Sequence, residues 1–252
     1  MFGWLRRRLP PPQIPESLWR GVLRDYPFLA ARSPAERERL REMSARFLQD
    51  KEFNGVHGLE ITDETALAIA AQAVLPVLHL GLSWYDDFVG IVVHPGEALA
   101  RRTATDEAGV VHQYDEVLAG EAMDRGPVML SWSDVKAGGR LAHEGYNLVI
   151  HEFAHKLDLR DGAADGCPPL RSAHGRQAWL TVLREDYDRF REQVVMAERF
   201  GAEAPWLNAY GATDHGEFFA VACEAYFVNR ERFAREFPRL LALFDGFFQP
   251  AA

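Results

Sequence analysis

Residues 147–158 read NLVIHEFAHKLD, and this stretch constrains the fold more than any other. Its apolar members, Leu148, Val149, Ile150, Phe153, Ala154 and Leu157, call for burial, yet His151, Glu152 and His155 sit among them. A buried charge is costly unless something pairs with it. On a helix, positions four apart lie about 40° apart around the axis, so His151 and His155 project side by side from one face. Glu152 lies about 100° round from His151, too far to be an equal ligand but close enough to border the open side of an ion. The spacing therefore offers two imidazoles for one metal ion and a general base from one turn of helix. The plainer alternative is a helix with two satisfied core histidines and a surface glutamate. The apolar flanks argue against it, because they bury the glutamate too.

The same residues hold an ExxH element of the kind used in di-iron bundles. Such sites need a second copy, and no other His in the chain follows a Glu by three residues. Two His and one carboxylate also serve non-haem iron, but a helical HExxH suits hydrolysis better. Catalytic zinc needs a third protein ligand and one open position. Asp161, six residues after His155, is the near choice. A ligand at that spacing needs a tight turn midway, and Asp158 stands there rather than Gly. Glu217, in YGATDHGEFFAVACEAYF, is the distant choice. Asp214 or Thr213 can cap that helix, which puts Glu217 in its first turn, where the helix dipole alone also favours a carboxylate. Glu224 lies two turns on, on much the same face, as a potential partner for a ligand.

The 252 residues suffice for one sizeable core. A net charge of −9 argues against a nucleic-acid surface, which needs clustered Lys and Arg. The two cysteines, Cys167 and Cys223, fit no paired metal or redox spacing and read as free thiols, which suits a reducing compartment. MFGWLRRRLPPPQIP has an Arg run without the apolar core of a secretory signal. No stretch is long and apolar enough to span a membrane, so the expected location is cytoplasmic and no membrane partner is expected. Residues 1–15 read as a flexible N-terminal arm, and 16–252 as one domain.

Ser33, Pro34 and Glu36 mark a capped helix start. Residues 62–81 read as a greasy helix bent at Pro76 and closed by Gly81. Residues 142–158 and 176–200 read as single helices, and residues 215–248 as two helices broken before Pro238. DFVGIVVHPG and GPVMLSWSDV read as strand and turn. Helices at both ends with two or three strands between them predict an α+β fold.

Taken together, SARFLQDKEF, AVLPVLHLGLSWYDDFVGIVVHP, GPVMLSWSDV, NLVIHEFAHKLDLRDG, NAYGATDHGEFFAVACEAYF and FDGFFQP resemble the Mlc titration factor A family of bacterial zinc metallopeptidases. That family is gluzincin-like and is related to the catalytic domain of anthrax lethal factor. The resemblance implies a zincin-like domain with a small mixed sheet and an active-site helix. It implies one zinc ion held by His151, His155 and Glu217, with Glu152 as catalytic base. Tyr210 precedes Glu217 by seven residues, the spacing seen in lethal factor, and so would donate to the oxyanion. Asp158 matches the HKLD ending and is expected to orient His155. No role passes to His215, where relatives more often carry other small or polar residues. The expected activity is hydrolysis of a peptide or protein substrate, aligned by strand addition along an edge strand at residues 128–133. The alternative the resemblance implies is an interaction protein, because the family name comes from binding a sugar-responsive transcriptional repressor, Mlc. Catalysis would then be secondary or absent.

Overall fold

The computed structural model describes residues 13–96, 98–105, 111–118, 120–122, 126–170 and 172–250. The arm expected over residues 1–15 lies outside this set up to residue 12. Helices dominate, around a small sheet, which agrees with the α+β expectation. In chain order the elements are α1 (Glu16–Asp25), α2 (Pro27–Ala30), α3 (Pro34–Asp50), β1 (Glu52–Gly55) and α4 (Asp63–Val74). Then come β2 (Gly90–His94), β3 (Ala98–Thr105), β4 (Val111–Leu118), β5 (Gly120–Ala122), β6 (Val128–Ser131) and α5 (Trp132–Leu141). The chain continues through α6 (Leu148–Asp158), α7 (Ala173–Phe200), α8 (His215–Val228), α9 (Arg230–Glu236) and α10 (Pro238–Phe248).

Local chemistry sets the boundaries. Ser33 and Glu36 form a reciprocal capping box at the start of α3, with Pro34 in the first turn. Thr62 caps α4, which yields to a 3-10 turn, Leu75–Val77, at Pro76. The helix expected over residues 142–158 is interrupted. Gly145 adopts φ +82° and Asn147 is extended, and the Asn147 side chain then accepts from Ile150 N to start α6 afresh. The expected pair of C-terminal helices is three, because Asn229, at φ −142° and ψ 61°, leaves the helical conformation, ends α8 and caps α9.

The sheet runs β1-β2-β6-β5. The first three strands are parallel, and β5 joins β6 antiparallel, with Gly120 opposite Leu130. β3 and β4 form a separate antiparallel ribbon. Alternation along β2 buries Ile91 and Val93 on one face, as the two-residue strand period requires. One expectation is corrected here. Residues 128–133 are not an edge strand: β6 is paired on both sides, and from Trp132 the chain is helical. Among the described strands the edges are β1 and β5.

Helix α6 lies at the centre, packed against α4, α5 and α8 and against β5 and β6. Every residue of α6 except His155 is buried. Around it gathers one apolar cluster that includes Phe47, Tyr85, Phe88, Phe153, Phe219 and Phe244. Lys156, at the end of α6, is also buried. It donates to Gly126 O at 2.8 Å, so α6 is tied to the turn that leads into β6.

Helix α5 contains Gly138 and Gly139 because it is crowded. A Cβ on Gly139 would run into the carbonyl oxygen of Asp25 and lie 3.0 Å from the carbonyl carbon. Gly139→Ala should therefore lower the unfolding free energy by about 1–3 kcal/mol, the usual cost of overpacking. Gly21, inside α1, has nothing within 4 Å of its Cβ position. Gly21→Ala should raise stability by about 0.5–1 kcal/mol through helix propensity. Urea midpoints of the two variants check this, and opposite signs are required.

Candidate functional site

The site is built by two helix starts and one turn. Asn147 caps α6 and sets its phase, so His151 and His155 share a face. Asp214 accepts from Glu217 N at 2.9 Å and starts α8, which places Glu217 in the first turn. Between α7 and α8, a 3-10 turn, Ala209–Ala212, carries Tyr210.

Three ligand-type atoms converge. His151 Nε2 lies 3.1 Å from His155 Nε2 and 3.1 Å from Glu217 Oε2, and His155 Nε2 lies 3.3 Å from the same oxygen. Tetrahedral ligation at about 2.0–2.1 Å separates ligand atoms by about 3.3 Å, so the triangle has the size a zinc-like ion demands. Glu217 Oε2 is buried and receives no well-directed hydrogen bond within the protein. Among the described residues, His151, His155 and Glu217 are the group able to hold a metal ion. Asp161 does not join them. Its oxygens take Ala163 N at 3.2 Å and Arg176 Nη1 at 3.4 Å.

A second layer of bonds fixes the triangle. Glu224 Oε1 lies 2.8 Å from His151 Nδ1, and Glu224 Oε2 accepts from Asn147 N at 2.5 Å. In the neutral imidazole that bond makes Nδ1 the protonated nitrogen and leaves the Nε2 lone pair facing the centre of the site. The Asn147 amide in turn donates to Gln72 Oε1 on α4 at 2.7 Å. Glu224 stands where its two-turn spacing from Glu217 puts it. Gln72 and Asn147 escaped the sequence reading, although an Asn before an apolar helical run is a cap signal. Asp158 behaves otherwise than expected: its Oδ2 accepts from Gly166 N at 2.9 Å, so it pins the loop after α6 rather than bonding His155.

The electrostatics follow from burial against pairing. Burial opposes charge on His151, but Glu217 and Glu224 on either side outweigh it and hold its pKa well above the ordinary value. Burial pushes Glu217 upward, and His151 and His155 overcome that, leaving it well below the usual carboxylate range. Glu152 is 4% exposed. Its burial raises the pKa to about 7, only partly offset by the two histidines. A carboxylate so tuned can both accept and return a proton near neutral pH. Tyr210 is 48% exposed, yet its hydroxyl donates to Glu217 Oε1 at 3.3 Å and its ring lies 6.1 Å from that of His151. The site thus grades from a dry histidine floor to a wet phenol rim. His215 packs instead against Tyr187, with ring centroids 4.4 Å apart.

Comparison with known proteins places this geometry in a family. Residues 1–249 match the family described as glucose-regulated metallo-peptidase M90. The chain is 36% identical over 252 residues to Mlc titration factor A of Klebsiella pneumoniae (strain 342), covering 99% of this chain and 92% of the relative. It is 32% identical over 250 residues to the protein of the same name from Yersinia enterocolitica, covering 99% and 91%. With that of Escherichia fergusonii it shares 34% over 251 residues, covering 98% and 91%. The chain therefore belongs to the M90 family of glucose-regulated metallo-peptidases.

Proposed function

We propose that this protein is a zinc-dependent peptidase with a zincin-like fold, in which His151, His155 and Glu217 hold the metal. The observation that carries the reading is the convergence of those three ligand atoms beside a buried glutamate, Glu152. Bound there, zinc supplies Lewis acidity, which acidifies water and polarises a carbonyl. Glu152 takes the proton of the attacking water and returns it to the leaving nitrogen. Its pKa of about 7 supports both halves of that transfer. The Tyr210 hydroxyl, now on Glu217 Oε1, is within reach of a carbonyl oxygen presented at the rim and steadies the oxyanion. The substrate backbone aligns along β5, the edge strand among the described residues that packs against α6, in place of the strand first expected.

A second reading is favoured by the relatives, which are named Mlc titration factor A. On it, this protein sequesters a transcriptional repressor through its surface. The two readings part cleanly at the site, because binding a partner needs no base.

Zinc content separates the ligand candidates. Glu217→Ala should abolish stoichiometric zinc on the purified protein, whereas Asp161→Ala should leave it. Zinc surviving the first change and lost in the second would overturn the assignment.

Glu152→Gln keeps size and polarity but removes the base. Zinc should remain, and cleavage of a quenched-fluorescent peptide library should fall at least about 100-fold. Near-normal turnover would reassign the base. Under the sequestration reading, wild type and variant alike cleave nothing and bind the repressor equally.

Tyr210→Phe removes one hydroxyl and little volume. Zinc content should hold and kcat should fall about 10- to 1000-fold with a smaller change in KM, because the lost bond forms mainly in the transition state. Equal cleavage by both proteins would make Tyr210 an ordinary rim residue.

A further inference from the structure

We infer that Gly120, on the edge strand β5, is a positioning residue that seats the carboxylate of Glu152; this rests on the peptidase reading above. The argument begins from why a glycine stands there. Glycine is commonly kept where the backbone needs positive φ. Among the described residues the positive-φ glycines are Gly58, Gly81, Gly145, Gly162, Gly166 and Gly201, and Gly120 is not one of them. Nor does pairing with β6 require it, since any residue can stand opposite Leu130. The remaining reason is space, because isolated glycines in strands mark close approach of another group.

One side chain fills that space. A Cβ on Gly120 would lie 2.7 Å from Glu152 Cδ and 2.8 Å from Cγ, and closer still to Oε1. The three nearest atoms all belong to Glu152. Real Cβ atoms essentially never come under 3.0 Å, so an alanine would displace the glutamate or lift the strand. The backbone of β5 therefore lies directly on the carboxylate. Hydrogen bonding does not hold the far oxygen: Glu152 Oε2 is buried without a partner. Packing under β5 is then what fixes the rotamer of the base. The same strand offers its outer edge to a substrate backbone, so one element sets both the base and the register of the bond it serves.

The test uses full-length, zinc-loaded protein carrying Gly120→Ala, Glu152→Ala or both. In the wild-type background, Gly120→Ala should lower Tm by at least about 3 °C, the scale of overpacking in a chain of this size. With Glu152→Ala the room is restored, and the same change should cost less than about 1 °C. Zinc content should stay stoichiometric in all three variants. Against a quenched-fluorescent peptide library, Gly120→Ala should lose about 100-fold in kcat, the share of a displaced base, with KM changed less than about threefold. A Tm loss of equal size in both backgrounds overturns the seat, as does wild-type turnover by Gly120→Ala. Should Gly120→Ala alone fail to fold, a folded, zinc-binding double variant supports the seat and an unfolded one overturns it. A wild type that cleaves nothing overturns the peptidase reading only. The Tm comparison still decides whether Gly120 seats Glu152.

Discussion

The buried bond between Glu224 on α8 and His151 on α6 is the interaction on which the rest depends. A carboxylate as buried as Glu224 is costly to place unless its lone pairs are met. Here one oxygen takes His151 Nδ1 and the other takes Asn147 N, the first residue before α6. Two helices distant in sequence are thereby locked in register. Because residues seven apart on a helix lie about 20° apart, fixing Glu224 also aims Glu217 at the same histidine from two turns up. The group that stabilises the helix pair is the group that assembles the ligand triangle. Removing one partner of such a buried pair typically costs about 3–5 kcal/mol, so folding and ligand geometry cannot be separated by mutation at Glu224.

Asn147 extends this coupling to the scaffold. Its side chain caps α6 and also donates to Gln72, which is fully buried in the apolar helix α4. Gln72 would be an expensive resident of that helix without this bond and the one its amide gives to Ala68 O at 2.9 Å. The polar path from α4 through Asn147 to Glu224 and His151 therefore runs through the buried interior. Packing on every side holds it, which is what a metal-binding triangle needs if its atoms are to stand ready.

Much of this was legible in the sequence because it is local. The HExxH helix, the capping box at Ser33, the Asp214 cap and the two-turn spacing of Glu217 and Glu224 depend on neighbours within a few residues. What could not be read depends on distant ones. In helix α5, Gly139 lets the helix press against Asp25, at the end of α1, and Gly138 leaves room for the Asn147 side chain. β6 looks like an edge strand until β5 is seen to pair with it antiparallel. Asp158 looks like a partner for His155 until the loop at Gly166 claims it. Gly120 carries no signal at all without Glu152 beneath it.

The arrangement also bears on how the two proposed roles, catalysis and partner binding, can share one surface. Glu217 divides its labour: Oε2 faces the histidines, while Oε1 takes the Tyr210 hydroxyl. Tyr210 is therefore the link between the buried floor, where His151 is 8% exposed, and solvent, where its own ring is nearly half exposed. Tyr210 is thus the exposed member of the site and Glu152 the buried one. A folded partner could cover the same rim without reaching Glu152, which lies under the backbone of Gly120. On the two readings proposed above, chemistry belongs to the buried Glu152 and recognition to the exposed rim at Tyr210, so either could be lost while the other persists.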